Sequence, residues 1–466
     1  MANLFASINV ALSSLIAQSQ VTTIIEHNVA NVNTEGYHRQ VAELSAGPAV
    51  SLSNSYYGTG VGQMGSGVYV TSIKRYSVEF YNKRYRAENE EASKWSTEAE
   101  IVSQLESSLL ETTSDGLLTK IDSFFEEWQS LSNDPSDTSV RRELLDSAKE
   151  LASAINTRYT QIEEIRAAQD LSIDDRVQEI NALATSIAQL NEQISRIESI
   201  GDSPSDLLDA RDLALDRLSE LAGATSFEQS NGEVTVSIEG HILVGGHEAY
   251  GLHTEMDSTN ENLKKLVWDD GKDLVPTSGE LAGIIEARDS VFTEQRTGLN
   301  ELSMALKNAV NTIHQTGFGL DSSTDLDFFT GDDAGSFAVN SVLDDVEKIA
   351  TSSINGEVGN SETARAIFAL RTTATMNSGT ATFNQYYNDQ ISKLGLAVQR
   401  AETNAYDRAL VADALQTQRE SVSGVDLNEE AANMVKSQKA YEAAARIIST
   451  IDEMLDTIIN RMGAGR

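Results

Sequence analysis

The two ends of the chain carry its clearest hydrophobic pattern. Near the N-terminus, apolar residues recur mostly in steps of four and three, at Leu4, Ile8, Ala11, Leu15, Ile25 and Val29. Gln18 and Thr22 are polar members of the same seam. This spacing lines one narrow face of an α-helix, and polar seam residues can fix the register of a helix pair. The pattern predicts an N-terminal helix that packs along a partner helix.

The C-terminal segment mirrors this arrangement. Its seam has steps of seven and then four, at Leu427, Met434, Tyr441, Ile448, Leu455 and Ile459. Asp426, followed three residues later by Glu429, predicts an N-cap with a capping-box partner, and Gly424 ends the segment before it. We expect the two terminal helices to pack on each other, on neighbouring subunits, or both.

The interior of the chain alternates long helical patterns with two non-helical stretches. Helical periodicity covers residues 77–110, 138–168, 173–200, 279–315 and 382–422. Ser203 and Pro204 predict the start of a further helix, and Gly223 predicts its end. From Thr225 to Thr277 the period changes to two, and Asn-Gly, Gly-Gly and Asp-Gly separate the pieces, which is typical of β-hairpins.

These patterns predict a mainly α-helical protein with one small inserted β domain. We expect residues 1–45 and 425–466 to form a terminal coiled-coil assembly domain. Residues 46–222 and 279–424 are expected to form a helical core, with 317–361 rich in loops, and residues 223–278 to form the β domain. The stretch 41–76 is rich in Gly and Ser and ends in the strand-like GVYVTSIKRY.

Composition narrows the possible partners. The 466 residues include 35 basic and 71 acidic side chains, a net charge of −36. Such a surface repels phosphate, so we expect neither nucleic acid nor anionic membrane as a partner. The absence of Cys excludes disulfides, thiolate catalysis and Cys-ligated zinc. The N-terminus has no basic residue before Arg39 and no unbroken apolar run, which argues against a cleaved signal peptide and a membrane-spanning helix.

The candidate chemical motifs all have plainer interpretations. GVGQMG at residues 60–65 has the glycine spacing of a dinucleotide site but precedes the alternating VYVTSI instead of a helix. His241, His247 and His253 are spaced by six, with Gly245 and Gly246 interrupting the first pair, so we interpret them as surface or hairpin residues. No metal, cofactor or enzymatic activity is therefore expected.

The stretch NVANVNTEGYHRQ, residues 28–40, ends the first helical pattern. Asn31 and Asn33 can bond backbone groups left free at a helix end, and Gly36 permits a positive φ. Tyr37 and Arg39 offer a ring and a charged group for packing. His38 has no partner nearby in sequence, so we expect its replacement by Ala to have little effect. Replacement of Gly36 by Val is expected to impair assembly.

Two long motifs resemble a known family. ALSSLIAQSQVTTIIEHNVANVNTEGYHRQ and SGVDLNEEAANMVKSQKAYEAAARIISTIDEMLDTIINRM are similar to the terminal motifs of flagellar rod, hook and hook-associated proteins. The Tyr-x-Arg-Gln ending, Tyr37 to Gln40, is most similar to members at the junction of hook and filament. SPSDLLDARDLALDRLSELAG and GELAGIIEARD resemble the helical core of such members more weakly.

The resemblance implies a structural role. In that family the terminal helices pair around a central channel, a helical domain lies outside them, and β-rich domains face solvent. It implies export through the flagellar type III apparatus without cleavage, with a cytoplasmic chaperone on the C-terminal region. The implied partners are other copies in a ring, hook protein and hook-associated protein 3. Longer members carry an additional outer β domain, for which residues 317–361 are too few.

Two alternatives remain open from the sequence. A hook or rod subunit would share the terminal motifs. A cell-wall-acting enzyme would use a carboxylate pair in the β domain or in residues 317–361, and it is the less favoured of the two.

Overall fold

A computed structural model describes residues 2–51, 63–109 and 116–458. Its helices are α1 (Ala2–Ala30), α2 (Glu79–Leu109), α3 (Leu117–Asn133), α4 (Thr138–Glu198), α5 (Ser205–Ala222), α6 (Gly279–Glu286), α7 (Phe292–His314), α8 (Glu362–Ala369), α9 (Phe383–Ser423) and α10 (Leu427–Asp456). A short π-helical segment, Ala287–Val291, joins α6 to α7. The prediction of a mainly helical chain with paired terminal helices is confirmed.

The chain divides into two compact units. The first contains Met1–Glu90, Glu179–Leu252 and Leu410–Arg466, and the second contains Glu91–Gln178 and His253–Ala409. The helices α2, α4 and α9 each contribute residues to both units.

Several helix boundaries differ from the sequence prediction. The two helices expected at 138–168 and 173–200 are one helix of 61 residues, α4. The residues between them, Gln-Asp-Leu-Ser, contain neither Gly nor Pro, so nothing interrupts the backbone hydrogen bonds. Pro204 lies at the N-cap of α5 in place of Ser203, whereas Gly223 ends that helix in the left-handed conformation, as predicted. The helices α3 and α8 were not predicted from the sequence.

The strands form small antiparallel sheets. The strands are β1 (Gln40–Ala46), β2 (Val50–Ser51), β3 (Gln63–Met64), β4 (Val68–Arg75), β5 (Thr225–Glu228), β6 (Val234–Ile238), β7 (His241–Gly245), β8 (Glu248–Ala249), β9 (Leu252–Asp257), β10 (Leu263–Trp268), β11 (Asp273–Leu274), β12 (Phe329–Thr330) and β13 (Ala338–Val339). The predicted β block forms two sheets, ordered β5-β6-β7-β8 and β11-β10-β9, where we expected a single β domain. The predicted strand at the end of 41–76 is β4, which pairs with β1.

Each unit has its own core. In the first, β6 turns Val234, Val236 and Ile238 inward. Asn191 of α4 links to this sheet because its Nδ2 donates to Val234 O at 2.8 Å and its Oδ1 accepts from Val234 N at 3.1 Å. In the second unit, the predicted loop-rich region supplies Phe328 and Phe329 to an aromatic cluster, whose α3 members are Phe124, Phe125 and Trp128.

Candidate assembly site at the chain termini

The helices α1 and α10 pack along each other. Gln18 in the middle of α1 lies beside Ser437, whereas the turn after α1 reaches Glu430 through Arg39, so the helices run antiparallel. Two small residues, Ser437 and Ala444, are buried on α10, and Ala11 is buried on the same face of α1 as Gln18. Small side chains allow the two backbones to approach closely.

The polar seam residues of α1 contact a serine of α10. Ser437 Oγ lies 3.0 Å from Gln18 O, 2.9 Å from Gln18 Oε1 and 3.0 Å from Thr22 Oγ1. Ser437 is buried, so a one-turn slip would take its hydroxyl away from these oxygens of α1, at a cost of about 1–3 kcal/mol. The predicted role of Gln18 and Thr22 in setting the register is therefore supported by geometry.

Asn28 joins the end of α1 to the first strand. Its Nδ2 donates to Gln40 O at 2.8 Å, and its Oδ1 accepts from Gln40 N at 3.0 Å. The same oxygen accepts from Tyr37 Oη at 2.8 Å. Asn31 Nδ2 donates to His27 O at 3.0 Å, which satisfies a carbonyl near the helix end. The turn is thus closed by side chains.

Gly36 adopts the positive φ that we expected from its position in the turn. Its φ is +73°, and a Cβ at this position would lie 3.4 Å from Leu213 Cβ. A branched residue would suffer both the left-handed strain and this close approach.

His38 is buried and hydrogen-bonded. The expectation from the sequence that this histidine has no partner is therefore wrong. It is 3% exposed, its Nδ1 lies 2.7 Å from Asp209 Oδ1, and its backbone N donates to Asp209 Oδ2 at 3.1 Å. Arg75 Nη2 lies 3.2 Å from the same ring nitrogen. The partner lies 171 positions away in sequence, so local spacing gave no sign of it.

Asp209 belongs to a row of aspartates along α5, which we call the acidic ladder. Its members are Asp206, Asp209, Asp212 and Asp216. Their spacing of three, three and four places them on one helix face. The acidic ladder was not predicted from the sequence, although the spacing of the aspartates within SPSDLLDARDLALDRL could have indicated a row of carboxylates on one helix face.

Each rung of the acidic ladder binds a different part of the first unit. Gln40 Nε2 donates to Asp206 Oδ1 at 2.9 Å. Arg75 of β4 donates to Asp209 Oδ1 at 2.6 Å and also to Asp212.

The upper rungs bind two further helices. Arg86 of α2 donates to Asp212 Oδ1 at 2.9 Å and to Asp216 Oδ1 at 2.6 Å. Arg419 of α9 donates to Asp216 Oδ2 at 2.6 Å. Burial alone would raise the pKa of Asp212, but the guanidinium groups of Arg75 and Arg86 lower it to about 2. Asp212 therefore stays ionised and holds Arg75 and Arg86 against α5.

Arg39 connects the turn directly to α10. Its Nε donates to Glu430 Oε1 at 2.7 Å and its Nη1 to Glu429 Oε2 at 3.1 Å. Its backbone N donates to Ser423 O at 2.9 Å. Asp426 is the N-cap of α10, as predicted, since its side chain accepts from the backbone N of Asn428 and Glu429. The carboxylate of Glu429 bonds Arg39, outside the predicted capping box.

The predicted assembly residues occupy different environments. On α1, Ala11 and Ile25 are buried, Ile8 and Leu15 are half-buried, and Val29 is exposed. On the turn, Asn31, Gly36, Tyr37 and Arg39 are half-buried and Asn33 is exposed. On α10, Met434, Ile448 and Leu455 are half-buried, whereas Leu427 and Tyr441 are exposed. The side chain of Leu4 and all of Ile459 lie outside the described residues.

The buried line of α10 is offset from the predicted apolar line. It consists of Glu430, Ser437, Ala444 and Ile451, spaced by seven. Two of these four residues are polar, so a search for apolar positions alone selects the neighbouring stripe.

The histidine and glycine motifs do not form a metal or nucleotide site within the part of the chain that the structure describes. Within residues 2–51, 63–109 and 116–458, no three His, Cys, Asp or Glu side chains are grouped so that they could hold a metal ion. Gly60 and Gly62 of GVGQMG lie outside the described residues.

No membrane-spanning helix was predicted from the sequence, yet α1 from Phe5 to Ala30 is long and apolar enough, by length and composition alone, to cross a membrane. Its polar residues Gln18, Thr22 and Asn28 instead bond α10 and β1.

Comparison with known proteins gives consistent matches at family level. A profile described as "Flagellar hook-associated protein FlgK helical domain" matches residues 102–329, and one described as "Flagellar basal body rod FlgEFG protein C-terminal" matches residues 416–462. Flagellar hook-associated protein 1 of Bacillus subtilis (strain 168) is 29% identical, and the alignment covers all of both chains. The protein of the same name from Escherichia coli (strain K12) is 25% identical over 97% of this chain and 99% of its own.

A solved structure shares the fold. "The structure of the flagellar hook junction protein FlgK from Burkholderia pseudomallei" superposes with a TM-score of 0.66 at 17% identity, over 73% of this chain and all of that chain. The alignment with the E. coli relative extends over 550 positions, more than the 466 residues here, so that relative carries segments this chain lacks. The chain belongs to the flagellar hook-associated protein 1 family, whose members are structural components of the flagellum and not enzymes.

Proposed function

We propose that this protein builds the hook–filament junction through the surface formed by α1, the turn at residues 31–40 and α10. The observation that supports this most is the register-specific pairing of α1 with α10, anchored to α5 through the acidic ladder. Such a pair presents its remaining apolar residues in a defined orientation. Leu427 and Tyr441 of the predicted interface are 51% and 45% exposed, and so are available to neighbours.

The proposed partners follow from this position. Copies of the same chain would form a ring, with hook protein on one side and hook-associated protein 3 on the other. We also propose export by the flagellar type III apparatus without cleavage, with a cytoplasmic chaperone bound to α10. The exposed Leu427 and Tyr441 offer such a chaperone an apolar surface before assembly.

A tagged copy tests the junction role against the nearest alternative, a hook or rod subunit. We expect a single band at the far end of the hook, because a junction protein occupies one level of the flagellum. A tagged hook protein in the same cells is the control and labels the whole hook. Label along the whole hook, or at its base, would contradict the junction role.

Deletion provides an independent test. Cells without the protein should secrete filament subunits into the medium but build no filament, since the first filament subunits would have no junction surface to bind at the end of the hook. Restoring the gene should restore filaments. Normal filaments in the deleted cells would contradict the proposal.

A further inference from the structure

The chain contains two Asn-Gly pairs, Asn231-Gly232 and Asn355-Gly356. In such a pair, the backbone N of the glycine can attack the Cγ carbon of the asparagine side chain. The attack closes a cyclic succinimide and releases ammonia. Glycine favours this reaction because it has no Cβ to obstruct the approach and adopts many backbone conformations. Whether a pair reacts therefore depends on how firmly the fold holds these two residues.

The first pair is held by its surroundings. Asn231 Nδ2 donates to Glu233 Oε2 at 2.9 Å, and Asn231 Oδ1 accepts from Glu233 N at 3.2 Å. Gly232 N, the attacking atom, donates to Gln229 O at 3.1 Å. Gly232 is also buried, and a Cβ at this position would lie 1.9 Å from Glu198 Oε2. Both reacting groups are therefore bonded, and the glycine has little space in which to move.

The second pair has none of these restraints. It lies at the centre of a turn that is closed by a bond from Glu357 N to Ile354 O at 3.3 Å. Within the part of the chain that the structure describes, neither the Asn355 side chain nor Gly356 N makes a hydrogen bond. Both residues are exposed, the φ of Gly356 is +80°, and a Cβ there would meet no atom within 4 Å. The two reacting groups can therefore approach each other without disturbing their neighbours.

The base of this turn is anchored independently of its tip. Ser352 Oγ donates to Ile354 O at 2.6 Å and accepts from Ile354 N at 3.0 Å. Ser353 N donates to Asn360 Oδ1 at 3.2 Å, and Phe318 N donates to Ser352 O at 2.8 Å. A chemical change at the tip therefore leaves these bonds, and the rest of the fold, in place.

We propose that Asn355 is a site of spontaneous deamidation. Gly356 N forms a bond to Asn355 Cγ, and the side-chain nitrogen leaves as ammonia with the proton from Gly356 N. Water then opens the succinimide. Addition of water at Cγ gives aspartate, whereas addition at the main-chain carbonyl of residue 355 gives isoaspartate, whose main chain runs through Cγ. The reaction consumes only water, involves no oxidant or reductant, and requires neither an enzyme nor assembly of the protein.

Both products change the surface of the loop. Each adds one negative charge, beside Glu357, to a chain whose net charge is already −36. Isoaspartate also lengthens the main chain by one carbon, which is incompatible with the bond from Glu357 N to Ile354 O that closes the turn. Because the base of the turn is anchored separately, modified copies stay folded. The loop therefore records the age of each copy.

Ageing of the purified full-length protein tests this proposal. The protein is kept folded in mildly alkaline buffer, samples are digested at intervals, and the peptides are separated by liquid chromatography and identified by mass spectrometry. We expect the peptide with Asn355 to convert to its aspartate and isoaspartate forms at least about tenfold faster than the peptide with Asn231. That ratio corresponds to about 1.4 kcal/mol of activation free energy. Equal rates for the two pairs, or an unchanged Asn355, would overturn the proposal.

Two variants test the role of the glycine. Gly356→Ala places a Cβ beside the attacking nitrogen and should slow the conversion of Asn355. The matched control is Gly359→Ala in the same loop, where an added Cβ also meets no atom within 4 Å. This control keeps the Asn-Gly pair, so Asn355 should convert at the wild-type rate. Equal slowing in both variants would contradict attack by Gly356 N.

Unfolding separates the effect of the fold from that of the local sequence. In concentrated urea the bonds that hold Asn231 and Gly232 are lost, so both pairs should convert at similar rates. If Asn231 stays much slower than Asn355 in the unfolded chain, the difference comes from the neighbouring residues, and the structural basis of the proposal fails. Circular dichroism of the aged, folded sample should match that of the fresh protein, whereas a loss of helix would show that the tip is not independent of its base.

Discussion

At the scale of single residues, the acidic ladder explains why His38 and its neighbours lie where they do. The bonds from Asp209 to the His38 ring, to its backbone N and to Arg75 bring together three segments distant in sequence. Buried polar groups that share partners in this way are costly to disturb, since removal of one leaves the others unpaired.

Replacement of His38 by Ala should therefore destabilise the protein, contrary to the expectation from sequence. We expect a loss of about 1–3 kcal/mol in the free energy of unfolding, because Asp209 loses a buried ring partner. Urea unfolding followed by circular dichroism measures this loss. The matched control is His247→Ala, since His247 is exposed and should change stability by less than about 0.5 kcal/mol. Equal stability of the two variants would show that the ladder does not depend on His38.

A second buried histidine makes stability depend on pH. Because Ala350 N donates to His314 Nε2 at 2.9 Å, the ring proton is on Nδ1, which lies 2.6 Å from Leu326 O. Burial lowers the pKa of His314 to about 4. The unfolded chain binds a proton near pH 6.5, whereas the folded chain does not until near pH 4. The stabilising contribution is thus complete above pH 6.5 and is lost as the pH falls towards 4.

The prediction is a drop in the free energy of unfolding between pH 7 and pH 5, by at most about 1.4 kcal/mol per pH unit from this group. Unfolding at both pH values measures it. His314→Asn should weaken the pH dependence, while His247→Asn should retain it. A wild type and a His314 variant with the same pH dependence would contradict this assignment.

At the scale of elements, a few residues determine where each helix begins and ends and how closely two helices pack. The helix α4 continues through residues 169–172 because they offer no breaker, whereas α5 ends at Gly223 and α10 begins at Asp426. Seams with small and hydroxyl side chains, such as Ser437, bring helices close but look weakly apolar in sequence.

The N-cap of α10 should be separable from the rest of the helix. Asp426→Ala removes the side-chain acceptor of the backbone N–H groups of Asn428 and Glu429, at a cost of about 1 kcal/mol. Hydrogen exchange of those two amides should accelerate while amides near Ser437 keep their protection. The control Asn428→Ala keeps the cap and should leave the Glu429 amide unchanged. Unchanged exchange in Asp426→Ala would mean that Arg39 alone holds this helix end.

At the scale of the whole molecule, charge opposes assembly and apolar surface favours it. With 71 acidic and 35 basic side chains, separate copies repel each other at low ionic strength. Salt screens this repulsion over a Debye length of about 10 Å at 0.1 M.

Self-association of the purified protein should therefore increase with salt. Sedimentation velocity at low and at high NaCl measures the change. Leu12→Asp places a charge on an exposed apolar position of α1 and should suppress salt-induced association, whereas Val275→Asp, at an exposed apolar position outside the terminal helices, should not. Dissociation on adding salt would show that ion pairs between copies dominate.

The sequence by itself determined the features that depend on neighbours along the chain. These are the two terminal helices, the cap at Asp426, the positive φ of Gly36, the polar seam positions Gln18 and Thr22, and the family. Helical periodicity, capping and turn chemistry act over a few residues, so a single sequence reports them.

Only the tertiary structure decided which distant groups meet. It paired His38 with Asp209, aligned the acidic ladder with Arg75, Arg86 and Arg419, and buried the Ser437 line of α10 beside the predicted one. An isolated aspartate or serine in a sequence is equally compatible with solvent and with a buried partner. The choice is made when packing removes water from the group and leaves one particular donor or acceptor within reach.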